Sequence, residues 1–223
     1  MVMKICQLCA VDFTVEKLLL PLIDAMENEN WAVTIICTNG VAVQKLKKNG
    51  YRFITLPISR SYNPFRALYS IIGLIKIFKK ERFDVIHVHT PIASIIARIA
   101  SIFVKKTFLV YTAHGFYFHE NMPRYKKYFF ILIEKYLSRF TDLLFCQSNE
   151  DVLEAIKRNI ISRKKVYAIG NGVDINKFNI QLFEKNVTNN RRIIGIPKNA
   201  IVVGIVARLV EEKGINELLL ASI

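Results

Sequence analysis

Seven short apolar runs alternate with amphipathic helical patterns over the first 171 residues. That alternation limits the fold more than any other feature. The runs are KICQLCA (4–10), WAVTIICT (31–38), RFITLPI (52–58), DVIHVHT (84–90), TFLVYTAH (107–114), DLLFCQS (142–148) and KVYAIGN (165–171). Strands of near-continuous apolar character are buried on both faces, as in a parallel sheet covered by helices. Right-handed crossovers then make an α/β, doubly wound, Rossmann-like sheet. In such sheets ligands bind beyond the carboxyl ends of the strands. The functional segments are therefore expected at 10–14, 38–40, 57–63, 89–91, 113–120, 147–151 and 170–174.

The intervening patterns predict helices. VEKLLLPLIDAMENE (15–29) contains Pro21, which should kink the helix or sit near its first turn. VAVQKLKKNG is closed by Gly50, and Asn63-Pro64 starts the next helix. Ser148 and Asp151 form an S-x-x-D capping box. In the 122–140 helix, Tyr125, Tyr128, Phe129, Leu132, Ile133, Tyr136, Leu137 and Phe140 recur at helical spacing. A stripe of this kind is expected in the core, with lipid contact as the sharper alternative.

After Asp174 the chain turns polar and poorly periodic, as in a linker, before IVVGIVARL (201–209) reads as another strand and EEKGINELLLAS as another helix. One strand and one helix cannot bury a core. The expected organisation is a domain over 1–178, a linker over 179–199 and the start of a second domain over 200–223.

Apolar residues form 52% of the chain, enough for a buried core. The net charge is +14, from 32 Lys and Arg against 18 Asp and Glu, which points to an anionic partner or to solvated helix faces. Basic patches lie at 44–52 and 60–82. No helix-turn-helix, zinc or RNP motif supports a nucleic-acid partner. The N-terminus lacks the pattern of a signal peptide, and no apolar run reaches the length of a bilayer span; PIASIIARIASIFV is cut by Arg98. A cytoplasmic protein, peripheral on the inner membrane face, is expected. Cys6 and Cys9 make a lone C-x-x-C, and their odd spacing puts the thiols on opposite faces of a strand, which favours a structural role over zinc or redox chemistry.

All four histidines, His87, His89, His114 and His119, lie between positions 87 and 119. A metal site, a catalytic base or a sugar-binding cleft would each explain the clustering. His87 and His89 share a strand face, but only Glu120 supplies a nearby carboxylate, and metal sites need partners behind their ligands. His87 reads as a core histidine. His89 lies at the carboxyl end of its strand, and Gly115 lets backbone approach a ligand beside His114.

Five segments in order, DVIHVHTPIASIIARIA, VYTAHGFYFHE, CQSNED, AIGNGVDINKF and IVVGIVARLVEEKG, resemble a family 4-type glycosyltransferase of GT-B fold, of the bacterial branch that builds capsular polysaccharide and O-antigen. The resemblance covers essentially the whole chain. It implies an N-terminal acceptor-side domain and a C-terminal domain for a UDP- or GDP-linked sugar donor. It also implies transfer with retention, no cofactor or metal ion, and a glycan acceptor that is undecaprenyl-linked or similar. His114 matches the family histidine beside the donor sugar, and Arg208 and Lys213 match the basic pair on the donor diphosphate. Asp12, Thr14, His89, Gly115, His119 and Glu120 fall along the cleft, and Asn171 and Gly172 resemble a hinge with a left-handed turn. Two departures stand out. The first strand-to-helix loop, CAVDFT, lacks the Gly-Gly pair of many relatives, and the family's E-x7-E segment would lie beyond Ile223. A fragment, inactive alone, is therefore expected; a non-catalytic acceptor-binding half and a nucleotide-sugar epimerase are the rival readings.

Overall fold

The computed structural model describes residues 2–58, 63–104, 107–118, 122–172, 175, 190–197 and 199–222, apart from the Glu212 side chain. The chain divides into two units, Met1–Asn171 and Gly172–Ile223.

In the first unit seven parallel strands pair: β1 (Lys4–Leu8), β2 (Ala32–Cys37), β3 (Phe53–Thr55), β4 (Val85–His89), β5 (Phe108–Ala113), β6 (Leu143–Cys146) and β7 (Val166–Ala168). Their order is β3-β2-β1-β4-β5-β6-β7, so the strand order reverses between β1 and β4. That reversal opens the crevice in which doubly wound sheets bind ligands. The strands follow the sequence runs, trimmed where ladder pairing ends.

Pro21 explains the first helical region. α1 (Asp12–Thr14) passes into a π-type segment (Val15–Leu19) and then α2 (Leu20–Asn28). The Leu20 amide bonds the Val15 carbonyl five residues back. Pro21 has no N–H for the next α-type bond and sits in the first turn of α2, so the ladder slips there by one residue. α3 (Val41–Lys48) ends before Gly50, whose φ of 99° is open to glycine. α4 (Pro64–Glu81) is capped by Asn63, whose side-chain oxygen accepts from the amides of Phe65 and Arg66 at 3.1 Å. α5 is Pro91–Ser101 and α6 is Arg124–Leu137. α7 (Asn149–Lys157) is capped by Ser148, which accepts from the Asp151 amide at 3.1 Å, as the capping-box reading expects.

Alternation along the strands builds two cores. Cys6, Leu8, Ile86, Val88, Tyr111, Ala113, Leu144 and Cys146 pack with α4 to α7. Cys9, Val33, Ile35 and Cys37 pack on the other face with Val15, Leu19, Ile23, Val43 and Leu46. Cys6 and Cys9 thus do fall on opposite faces, both fully buried. Burial raises all four thiols, Cys37 and Cys146 to about 12, so they stay protonated and inert.

The helix α6 corrects one expectation. Its inward face is Phe130, Ile131, Glu134 and Leu137. Tyr125 is 73% exposed and Phe129 57%, and Tyr128, Leu132 and Tyr136 are exposed beside them. The rotation is tied to a buried ion pair that sequence pattern does not show. Arg98 on α5 donates to Glu134 Oε2 at 2.9 Å, and the two residues are 1% and 4% exposed. Arg98 also donates to the carbonyl and hydroxyl of Ser94 and lies 4.6 Å over the Tyr111 ring. With Glu134 turned inward, the aromatic stripe faces out.

The second unit holds a 3-10 turn (Glu211–Lys213) and a helix (Ile215–Ala221). The expected strand at 201–209 does not form: these residues are irregular, exposed and without a ladder partner among the described residues. An apolar run becomes a strand only against another strand. Most of the expected linker, 179–189, lies outside the described residues, and the break between units falls at Asn171–Gly172.

Removing one member of a buried pair leaves an uncompensated charge, at a cost of about 3–5 kcal/mol. Glu134→Ala should lower stability in urea by that amount. The double variant Arg98→Met with Glu134→Leu should lose less than Glu134→Ala alone.

Candidate functional site

The carboxyl edges of β4, β5 and β6 bring together His89, His114 and Gln147. On the strand face shared by residues 7, 87, 89 and 112, a continuous polar chain runs inward from that edge. Gln147 Nε2 meets His114 Nδ1. His114 Nε2 lies 3.4 Å from His89 Nδ1, and His89 Nε2 lies 2.8 Å from Gln7 Oε1. Gln7 Nε2 lies 3.3 Å from His87 Nδ1, and His87 Nε2 lies 2.7 Å from Thr112 Oγ1. Gln7 comes from β1, so the chain spans four adjacent strands and crosses the reversal point.

Gln7, His87, His89 and Thr112 are buried, and His114 is half-buried. Burial holds all three imidazoles below their ordinary range, with His87 at about 3. Neighbouring rings add to this, since a positive charge on one disfavours a second: His114 acts on His87, and both act on His89. The three are therefore neutral near pH 7. Among the described residues no group of three or more His, Cys, Asp or Glu side chains is placed to hold a metal ion.

His87 is the core histidine that its position suggests, with two bonded nitrogens. His89 is only 2% exposed and stands behind His114, not on the open surface of the cleft. Gly115 follows His114 with φ 89° and open space where a Cβ would project, so the backbone there is accessible from outside. His119 and Glu120 lie outside the described residues.

Asp12 has a partner of its own. Its carboxylate accepts from the Ala42 amide at 2.9 Å and so caps α3 from outside. A Cβ at Gly40 would lie 2.1 Å from Asp12 Oδ2, so this contact requires glycine at position 40. Thr14 is buried in α1. The left-handed residue near the unit boundary is Gly170, with φ 67°, and not Asn171 or Gly172. The chain turns there, at the end of β7, because glycine alone accepts that backbone without strain.

Arg208 and Lys213 belong to the second unit, where both are exposed. The Val210 amide bonds the Arg208 carbonyl, and the Lys213 amide bonds the Val210 carbonyl, so a tight turn separates the two side chains.

Sequence reading missed Gln7 and Thr112; Gln147 and Thr90 fell within the expected segments 147–151 and 89–91 without being singled out. Gln7 carried a signal: it is a polar residue within a strand that is otherwise apolar after its exposed first residue, Lys4. Thr90 ends β4 with φ 68° and ψ 143°, a strained conformation for a β-branched residue, and its hydroxyl is buried without a hydrogen-bond partner among the described residues. Pro91 keeps Thr90 out of the α region, but its positive φ depends on the tertiary setting.

The sequence profile of Glycosyltransferase Family 4 matches residues 15–177. The chain belongs to that family. Over 200 residues it is 28% identical to a UDP-Gal:alpha-D-GlcNAc-diphosphoundecaprenol alpha-1,3-galactosyltransferase from Escherichia coli, covering 89% of this chain and 51% of the relative. Over 201 residues it is 24% identical to the capsular polysaccharide biosynthesis glycosyltransferase CapM of Staphylococcus aureus, covering 88% and 51%. The chain thus spans about half the length of these relatives. The crystal structure of Anabaena HepE in complex with UDP and glucose superposes with a TM-score of 0.73 at 21% identity, covering 99% of this chain and 57% of that one. At that identity the likeness concerns the fold. It agrees with the doubly wound sheet described above.

Unfolded, each histidine titrates near pH 6.5. Folded, His87 does so at about 3 and His89 well below its usual value. As pH falls below about 6.5 the unfolded chain therefore takes up protons first, and stability present above that pH is lost. From pH 7.5 to about pH 5, His87 should remove about 2 kcal/mol, or about 1.4 kcal/mol per pH unit once the unfolded ring is charged, and His89 should add to the loss in the same direction. Urea titrations across this range check it; a flat profile would mean that the rings charge freely within the fold.

Proposed function

We propose that this chain is the acceptor-side half, with the beginning of the donor side, of a retaining glycosyltransferase of cell-surface polysaccharide synthesis. The observation that carries the reading is His114, half-buried at the carboxyl edge of the sheet beside Gly115 and backed by His89 and Gln147. The donor is a UDP- or GDP-linked sugar, and the acceptor a glycan on an undecaprenyl diphosphate or a comparable lipid. The galactosyltransferase relative, named for a UDP sugar and a diphosphoundecaprenol acceptor, supports both assignments.

The chemistry suits these side chains. Glycosyl transfer passes through an oxocarbenium-like state while negative charge gathers on the leaving diphosphate. A neutral imidazole stabilises the donor sugar by hydrogen bonding without placing positive charge beside the cation. Arg208 and Lys213 neutralise the diphosphate, the guanidinium as a two-pronged donor and the ammonium as a point charge. With these two cations on the leaving group, the reaction proceeds without a metal ion.

The exposed face of α6 adds the location. Tyr125, Tyr128, Phe129, Leu132 and Tyr136 form an apolar stripe. Lys126 and Arg139 lie over the rings of Tyr125 and Tyr136, at 6.0 and 5.7 Å. α4 exposes Phe65, Leu68 and Tyr69 as well. Aromatic residues bordered by cations suit the interface of an anionic bilayer. Among the described residues no helix is long and apolar enough to cross a membrane. The exposed aromatic faces support a place on the membrane surface, on the cytoplasmic side where nucleotide sugars are found.

Saturation-transfer NMR on the 223-residue chain with UDP, UDP-GlcNAc, UDP-Gal and GDP-Man should show contact with at least one nucleotide. Arg208→Ala should abolish it. No contact with any nucleotide, with the circular dichroism of the fold intact, would restrict this chain to acceptor binding. Flotation with vesicles rich in phosphatidylglycerol should carry the protein upward, and Phe129→Asp with Leu132→Asp should reduce the floated fraction at least tenfold. Flotation unaffected by these changes would remove α6 from the membrane face.

A further inference from the structure

We propose that the buried polar chain runs in one direction only and holds His114 as the neutral Nε2–H tautomer, with Gln7 and Gln147 as positioning residues. The proposal deepens the reading of His114 as a sugar contact and rests on that reading for its functional meaning.

The direction follows from what each group can do. A glutamine amide nitrogen only donates and its oxygen only accepts; a neutral imidazole has one nitrogen of each kind. Gln7 provides the fixed point. Its Nε2 lies 3.2 Å from the Met26 sulfur and 3.3 Å from His87 Nδ1. A thioether sulfur cannot donate, so the nitrogen end of the amide must face Met26, and the second amide hydrogen goes to His87. Gln7 Oε1 then faces His89 Nε2 at 2.8 Å, which forces His89 to carry its hydrogen on Nε2.

The rest follows link by link. With Nε2–H on His89, its Nδ1 is bare and needs a donor, and His114 Nε2 is the group that faces it. His114 therefore carries hydrogen on Nε2, and its bare Nδ1 accepts from the Gln147 amide. On the other arm His87 accepts from Gln7 at Nδ1, so its Nε2–H donates to Thr112 Oγ1 at 2.7 Å. Six side chains thus agree on a single hydrogen arrangement. Reversing one link would set two donors or two bare nitrogens against each other in a buried site, where unmatched polar groups are costly.

The arrangement fixes the state in which His114 stands at the edge: uncharged, with Nε2–H directed at His89 at 3.4 Å and bare Nδ1 directed at Gln147. Gln147, on the loop after β6, keeps the ring from rotating and blocks Nδ1 from gaining the hydrogen.

The test reads the tautomers directly. In the intact chain labelled with 15N-histidine, long-range 1H–15N correlation at neutral pH should show His87, His89 and His114 all as Nε2–H, with the His114 signals assigned by their loss in His114→Asn. An Nδ1–H or charged His114 in the unaltered protein would overturn the proposal. Gln147→Glu replaces an amide donor by a carboxylate that only accepts, so His114 should become Nδ1–H or imidazolium while His87 stays Nε2–H. Gln147→Leu should leave His114 as Nε2–H, held from the His89 side. An unchanged His114 in Gln147→Glu would end the positioning role of Gln147. Because no ligand is needed, failure to bind nucleotide sugars would restrict the chain to acceptor binding and leave this result standing, and the reverse holds as well.

Discussion

Two imidazoles and a glutamine amide are buried at the centre of a parallel sheet, and the site depends on how they are satisfied. An unbonded polar group there costs as much as several favourable contacts return. His87, His89 and Gln7 meet this constraint by bonding to one another and to Thr112, and the chain reaches the half-buried edge of the sheet at His114 and Gln147. The strand order makes it feasible. Only with β1 beside β4 does Gln7 stand level with His87, and only with β4 beside β5 does His114 close on His89.

The two faces of the sheet are built differently. One carries the large core under α4 to α7, locked by the Arg98–Glu134 pair. The other carries the smaller core under α2 and α3 together with the polar chain, whose outer end lies at the carboxyl edge. Rigid strands hold His89 and Thr112, while His114 and Gln147 sit one residue past their strands, where loops begin. A side chain in that position is supported from behind and free in front.

Much of this was legible. Unbroken apolar runs announced a doubly buried parallel sheet, and turn and capping residues such as Asn63, Gly50 and Ser148 marked element ends through local geometry alone. His114 and Gly115 stood out because ligand sites follow strands in this architecture. The face of α6 was not legible. Its sequence has apolar residues almost all round, so periodicity offered two faces, and the choice was made by a charge on a different helix. The run 201–209 failed for a related reason: a strand is a property of a pair of chains, and no partner segment stands beside it among the described residues.

By itself, the sequence determined the class of fold, the order of its elements and the opposite faces of Cys6 and Cys9, because these follow from periodicity and from backbone preferences within a few residues. The tertiary structure alone decided which polar groups meet. Gln7 and His89 are separated by 82 positions, Arg98 and Glu134 by 36, and Asp12 and Ala42 by 30. No local pattern encodes such pairs; they are set by strand register and helix rotation, which favour arrangements that pair most buried donors with acceptors.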